Sequence, residues 1–441
     1  MGRPVWRNWA RTETARPARV EHPASGEEVA EAVQRAVRDG LRVKAAGAGH
    51  SFTGIAGTDG VLLRLDRMGR LVRADRDRGL VTVQAGMPLH RLGPLLDAHG
   101  LAMENLGDID RQTISGAIST GTHGTGARLG GLATQVHELE LVLADGSLVR
   151  CSAGERPDLF AAARVGLGAL GVITTVTLRC VPAFTLRATE RPMPLGEVLD
   201  RAGELADAAD HFEFYWFPYS SSVLTKRNDR LPPGTQRQPL PRWRYWWDDE
   251  LISNGVLELA CRAGTRVPVI VPHVNRLAAR LLGSRTYSDA SYRVFTSPRR
   301  VVFRESEWAV PRAAVADAVR EIRRWTERSD QRIAFPIEVR WAAADDIWLS
   351  AAYGRDTAYV AVHQYHRLPH EPYLRAVQAI MSAIGGRPHW GKLHWLDAAA
   401  LRPRYPRFAD FVALRDKADP AGVFTNPYLD RVLGPAGREP P

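Results

Sequence analysis

The sequence predicts an α+β protein of two domains followed by a separate C-terminal segment, on three observations. Two glycine-rich loops, residues 43–65 and 105–131, sit in the first third of the chain, each flanked by apolar alternation. Hairpin-like alternating runs are interleaved with amphipathic helical stretches without a regular strand–helix repeat. The texture changes just past Pro182, from glycine-rich loops to aromatic strands and helices. At 441 residues the chain is long enough for two or three cores. The domains are placed at residues 10–182 and 183–403, with 404–441 as the closing segment.

Each element has a local reason. Trp6-Arg7-Asn8-Trp9 reads as an aromatic opener packed under the first domain. Residues 27–40 have the helical period, with Val29, Val33, Ala36 and Val37 on one face and Gly40 at the end. A short strand over 41–46 enters the first glycine loop. Residues 71–85 alternate as a hairpin turning at 75–78, and 88–100 form a second amphipathic helix. Residues 136–151 are a hairpin turning at Asp145-Gly146. A helical stretch at 159–165 precedes a buried strand at 172–181, which Pro182 ends. Beyond it, 211–225 is aromatic and strand-like, 231–241 is a proline-rich loop, and 251–282 is helical in part. Strands are expected at 300–307, 333–342 and 357–365, the last two paired and central, with helices at 313–328 and 372–384. There are no internal repeats.

The glycine loops carry the first chemical signal. Gly47-Ala48-Gly49-His50-Ser51 allows positive φ and lets backbone N–H groups approach an anion without Cβ atoms in the way. It is not the usual dinucleotide fingerprint: Phe52 stands where the third glycine belongs, no helix opens there, and no acidic residue about 20 positions on closes a βαβ unit. Alone, this stretch also reads as a glycine-rich hairpin with a hydrogen-bonded histidine. The second loop adds Gly107, Gly116, Gly121, Gly124 and Gly126 with the hydroxyls of Thr113, Ser115, Ser119, Thr120, Thr122 and Thr125. Bare backbone and hydroxyl donors over this length suit a buried pyrophosphate and an extended ring.

Composition narrows the rest. The hydrophobic and charged fractions, 45% and 24%, are those of an ordinary globular protein. The net charge of +10 comes from scattered arginines, with no motif for reading bases, so nucleic acid is not an expected partner. Cys151, Cys180 and Cys261 fit neither a disulfide framework nor a zinc set, and the N-terminus has no apolar secretory core, so a cytoplasmic location is expected. Glu258, Arg262, Arg266, Arg276 and Arg280 interrupt the stretch 251–282, which therefore cannot span a bilayer. With the Trp/Arg run 242–247 it reads as a cap helix pair with its aromatic side buried; peripheral contact with a membrane surface is the alternative. His389 and His394 lack a carboxylate or cysteine at suitable spacing, so no metal is expected.

With these motifs in hand, the chain resembles the flavin-linked oxidases of the vanillyl-alcohol oxidase superfamily, more narrowly the sugar-lactone oxidases of gulonolactone and arabinonolactone type and the alditol oxidases. The match runs through GAGHS at 47–51, TGTHGTG at 120–126, EVR at 338–340 and HWGK at 389–392, in that order. The resemblance implies an FAD-binding domain, an antiparallel-sheet substrate domain and a tail that folds back onto the FAD domain. It assigns to FAD Ala46, Gly47, Ala48, Gly49, His50 and Ser51; Gly107, Asp108, Thr113, Gly116, Thr120, Gly121, Thr122 and His123; and, on the adenine side, Val172 and Ile173. His50 is the implied point of covalent attachment to the flavin 8α-methyl group, and His123 the implied brace.

Glu338 and Arg340, two apart on a strand, point to the same face. Such a pair reads as a salt bridge or as a substrate contact; the resemblance selects the second, leaving the arginine to face the flavin or a developing oxyanion. Lys392, read as lying between Trp390 and Trp395 beside a sharp turn at Gly391, is implied to contact the reacting hydroxyl, and His363 to be an active-site histidine. Gly107 implies access for oxygen, hence an oxidase releasing hydrogen peroxide. Asp108, where alditol oxidases carry a small serine, favours a sugar lactone over a polyol. A lactone dehydrogenase with another acceptor and a non-catalytic flavin-storing module are the other readings.

Overall fold

The computed structural model describes residues 4–241, 255, 257–297 and 300–437. The Trp/Arg run 242–247 therefore lies outside the described residues. In the first half of the chain, strands Arg19–Glu21 and Val43–Ala46 run parallel on either side of Val61–Arg64. A five-stranded antiparallel sheet follows, in the order Leu148–Ser152, Val136–Val142, Val172–Arg179, Leu80–Gln84, Leu71–Asp75. Its two hairpins are those expected; the Asp145-Gly146 turn uses Gly146 at φ +83°.

Helix Gly26–Arg38 starts where Ser25 Oγ accepts the Glu28 N–H at 3.2 Å, with Glu27 and Glu28 in its first turn and Arg35 and Arg38 in its last. It buries Val29, Ala32, Val33 and Ala36. Val37, expected on that face, is 43% exposed: at the helical period it falls outside the arc that Ala32 completes. Val181–Pro182 does not simply end a strand but pairs with Leu101–Ala102.

The second half is built on one eight-stranded sheet, every neighbour antiparallel. Its order is Arg285–Ala290, Thr185–Pro194, Ser222–Arg230, His211–Trp216, Ile337–Ala342, Thr357–Tyr365, Phe303–Pro311, Arg387–Pro388. The stretch 211–225, read as strand-like, holds two strands of a hairpin, the first ending at Trp216 and the turn passing through Tyr219 at φ +72°. The strands expected from 300 and 333 start at Phe303 and Ile337.

The period of two gives this sheet two unlike faces. One presents Phe214, Trp216, Val339, Trp341, Val360, Val362, Trp308 and Val310, packed under helices Val315–Arg328 and Glu371–Ala383. The other presents Lys226, Glu213, Tyr215, Glu338, Arg340, Tyr359, His363, Glu305 and Glu307, and it faces the glycine loops instead of water.

The C-terminal residues pack into the first core: Val423, Phe424, Leu429 and Val432 join the cluster that holds Val43, Val61 and Ile114. Val43 N–H donates to the Val423 carbonyl at 2.8 Å, and Asn426 Nδ2 donates to the carbonyls of Gly54, Ile55 and Gly57. All three cysteines are free and buried, and burial pushes each thiol up to about 12. Among the described residues no helix is long and apolar enough to cross a membrane. Helices Leu257–Arg266 and Val271–Arg280 bury Cys261 and Val271 beside Phe303 and Phe335, yet they and the residues adjoining them expose Leu259, Val267, Val269, Leu277 and Leu281.

Candidate active site

The two glycine loops press directly on each other. A Cβ on Gly47 would sit 2.3 Å from Thr113 Oγ1, so only glycine permits the contact. Thr113 also caps the short helix Ile114–Ser119, its Oγ1 accepting the Gly116 N–H. Around this junction lies a groove lined by Lys44, Gly47, Ala48, Gly49, His50, Ser51, Thr113, Gly116 and Thr120, and at its far end by Gly168, Gly171, Val172 and Ile173. The N–H groups of Ala48, Gly49, His50 and Ser51 find no acceptor among the described residues. A run of unpaired N–H groups in a glycine turn that opens on a groove is an anion cradle, and it fits a pyrophosphate.

The groove continues past His50, Ser51, Gln112 and Thr120 into a second pocket under the polar face of the large sheet. Gly107, Asp108, Thr122, His123, Glu338, Arg340, His363 and Lys392 all line it, so the motifs separated along the sequence meet here. Ala46 and Gly121 line neither space, although both flank residues that do. His50 stands where the two spaces join. Trp9 stacks on its ring at 5.5 Å and 27°. Burial, with the charges of Lys392 and Arg111, lowers its imidazole to about 4, so the ring is neutral and a nitrogen lone pair is available at physiological pH.

Arg340 lines the pocket already paired with carboxylates. Its guanidinium pairs with Glu338, with Glu213 Oε2 at 2.9 Å and with Asp108 Oδ1 at 3.4 Å. Burial opposes its charge, but Glu338, Asp108 and Glu213 hold it well above its ordinary value. Glu213 in turn lies 3.6 Å from Lys226, and Tyr215 Oη donates to Glu338 Oε1 at 3.0 Å. These partners come from register: Glu213 lies opposite Arg340, and Tyr215 opposite Glu338. Sequence reasoning missed Glu213, Tyr215 and Lys226 because the strand order that brings them together is not local. Asp108, expected to discriminate substrates from a loop, reaches the same arginine.

Lys392 is not held between Trp390 and Trp395. Trp390 stacks on Tyr405, and Trp395 lies beneath Arg375. The lysine lies over Phe52, Nζ 5.2 Å from the ring centre, and donates to Glu305 Oε2 at 2.5 Å. Gly391 serves close approach, not left-handed backbone: a Cβ there would sit 3.2 Å from Ser51 Oγ. His363 Nε2 lies 3.5 Å from Glu305 Oε1, while its Nδ1 donates to the Pro336 carbonyl at 3.1 Å. Burial opposes the charge of both groups, but the carboxylates facing them, Glu305 foremost with Glu338 at His363 and with Glu307 and Asp108 at Lys392, together raise each above its ordinary value.

Beside them, Glu307 Oε1 lies 3.0 Å from His123 Nε2, and His123 stacks on Tyr359 at 3.5 Å. Burial pushes the Glu307 carboxyl up, but His123, His389 and Lys392 hold it well below the usual range. His123, Glu307 and His389 keep a ligand atom each within 4.8 Å of one another. His389 thus has a carboxylate neighbour that its sequence spacing hides. Its Nδ1 accepts the Gly391 N–H at 3.0 Å, and burial lowers it to about 4. His394 instead faces the Tyr428 hydroxyl at 3.3 Å. Glu305 and Glu307 were missed as well.

The chain also matches known proteins along nearly its whole length. The D-arabinono-1,4-lactone oxidase family matches residues 176–432, and an FAD binding domain family matches residues 17–152. The chain is 45% identical to L-gulono-1,4-lactone dehydrogenase of Mycobacterium tuberculosis, over 98% of this chain and all of that one. It is 39% identical to L-gulonolactone oxidase of Bos taurus, over 97% and 98%. It is 37% identical to alditol oxidase of a Streptomyces species, over the same shares. Among solved structures, cholesterol oxidase from B. sterolicum superposes with a TM-score of 0.82 at 19% identity, covering 98% of this chain and 97% of that one, a likeness of fold. With an FAD-binding half and a matched second half meeting at one pocket, this chain is a flavin-dependent oxidoreductase that belongs to the D-arabinono-1,4-lactone oxidase family.

Proposed function

We propose that the protein oxidises an aldono-1,4-lactone of L-gulono or D-arabinono type at the secondary alcohol next to the lactone carbonyl, the product enolising to an ascorbate-like compound. The observation that carries this reading is the polar wall of the pocket. There, Lys392 and His363, both held by Glu305, and the Glu338–Arg340 pair look onto the space that begins at His50. Bound in the groove, FAD supplies the acceptor for the hydride that leaves the alcohol carbon.

The chain's own residues bind and orient. Carboxylates at Glu338 and Asp108 accept from substrate hydroxyls, one of them taking the proton that the reacting hydroxyl gives up, and Lys392 donates to the reacting oxygen with His363 beside it. His50 would be the residue that holds FAD covalently, its neutral imidazole presenting a lone pair where the groove meets the pocket. Its test is acid precipitation: yellow colour in the pellet is expected, and colour released to the supernatant contradicts attachment at His50.

Three further parts of the reading go with it. Residues 10–182 form the FAD domain, 183–403 the substrate domain, and 404–441 the returning tail. Oxygen is the electron acceptor, admitted beside Gly107, which lines the pocket without a side chain. The protein is cytoplasmic, and its contact with membranes, if tested with vesicles rich in anionic lipid, is through Leu259, Leu277 and Leu281 beside Arg262, Arg266, Arg276 and Arg280.

The deciding experiment is anaerobic mixing with a panel of aldono-1,4-lactones and alditols, followed by air. Bleaching of the flavin band by a lactone and return of colour in air are expected. Bleaching by alditols alone moves the substrate to a polyol with a terminal CH2OH, and colour that air does not restore means a dehydrogenase.

A further inference from the structure

Two carboxylates outside every motif lie at the centre of the pocket wall. Glu305 and Glu307 leave strand Phe303–Pro311 on the same face, and they are 4% and 5% exposed. Glu305 lies directly across the ladder from His363. One of its oxygens takes Lys392 Nζ at 2.5 Å, and the other lies 3.5 Å from His363 Nε2. The second nitrogen of that ring, Nδ1, points at the Pro336 carbonyl, which can only accept. Both nitrogens of His363 thus face acceptors, the arrangement of a ring carrying two protons.

We propose that Glu305 is a positioning residue: its carboxylate holds Lys392 and His363 side by side as protonated donors, and without it His363 loses its second proton at neutral pH. This rests on the lactone-oxidising reading for the reaction the two donors serve, though not for their charge. The groups facing His363 are Glu305 from strand Phe303–Pro311, Glu338 from strand Ile337–Ala342 and Lys392 from the loop after Pro388, with the rings of Phe303 and Phe335 closing the rest. Lys392 in turn faces Glu305, Glu307 and Asp108. Glu338 is tied to Arg340 and Tyr215, and Glu307 to His123, which leaves Glu305 as the carboxylate shared by both donors.

The test uses the FAD-loaded protein labelled with 15N-histidine, comparing wild type with Glu305→Gln and Glu305→Asp and assigning the ring through His363→Asn. In wild type the His363 nitrogens are expected to report a doubly protonated ring at pH 6.5. In Glu305→Gln the midpoint falls by about one pH unit or more, and Glu305→Asp restores part of the shift. In the same samples the anaerobic reduction rate by lactone falls about 10- to 100-fold in Glu305→Gln, with a smaller change in the lactone concentration giving half-maximal rate.

A His363 ring that is neutral in wild type at pH 6.5, or whose midpoint is unchanged in Glu305→Gln, overturns the proposal. If Glu305→Gln does not fold, a wild-type ring that is neutral at pH 6.5, or a Glu305→Asp midpoint that does not fall below that of wild type, overturns it. If no lactone reduces any sample, the functional reading fails while the ring titration still decides the role of Glu305.

Discussion

Two lysines in this fold are both drawn out of water and meet opposite fates. Lys392 donates to the Glu305 carboxylate, and its charge is favoured beyond the ordinary value although burial opposes it. Lys44, 2% exposed on the strand that enters the first glycine loop, donates to the carbonyls of Gly168 and Phe424 at 3.0 and 3.1 Å. Burial lowers it to about 7, and the charges of Asp419 and Asp430 only partly offset that. A carbonyl satisfies the hydrogen bond without neutralising the charge; a carboxylate does both. Lys44 therefore acts as a clasp between the first loop, the loop at Gly168 and the C-terminal segment, while Lys392 is kept as a cation facing the pocket.

The contrast can be broken deliberately. The largest effect is expected from Glu305→Gln, which leaves Lys392 without its carboxylate as Lys44 is. Losing one partner of a buried pair costs about 3 kcal/mol, read as a fall in the urea midpoint. A midpoint that does not move would mean the pair contributes nothing to the fold.

Next, Lys44→Met should remove a pH dependence. A lysine whose folded value lies below its unfolded one leaves the unfolded chain holding more protons between about 7 and the ordinary lysine range. Its contribution to stability therefore rises with pH across that window, by at most about 1.4 kcal/mol per unit, and is flat below it. Unfolding of wild type minus Lys44→Met at pH 6.5, 8 and 9 should show that rise, and parallel curves would contradict it.

Asp419→Asn should sharpen the same curve modestly. The amide oxygen can keep one of the two 2.7 Å bonds that the Asp419 carboxylate accepts from the Val423 and Phe424 N–H groups, but Lys44 loses a charge. The rise should then begin at lower pH in the same unfolding series; an unshifted onset would remove Asp419 from the account. The smallest effect is expected from Val37→Lys, within about 0.5 kcal/mol, because Val37 lies outside the buried arc. A loss of more than 1 kcal/mol would return Val37 to the core.

What could be read from the chain beforehand follows from which signals are local. Glycine loops, hairpin turns and the Glu338-x-Arg340 alternation are local, and each has its counterpart in the structure. Glu305 and Glu307 carry the same alternation in FRESEWAVP, and it was passed over for a physical reason. The polar face of a strand has the same pattern whether water or a cofactor groove covers it. The partners of Arg340 depend on strand order: Glu213 is 127 residues away and is brought opposite only by the register of the sheet. The separate fates of the two lysines were hidden likewise, since they depend on atoms brought in from distant segments: two carbonyls for Lys44 and a carboxylate for Lys392.

The measurement that bears most directly on the whole account is the anaerobic single-turnover bleaching of the flavin band by an aldono-1,4-lactone, in wild type and in Lys392→Met. The account predicts rapid bleaching of wild type and a rate about 10²- to 10⁴-fold lower in the variant, with the flavin still bound. Equal rates in the two proteins, or a wild-type flavin that no aldono-1,4-lactone reduces, would contradict it.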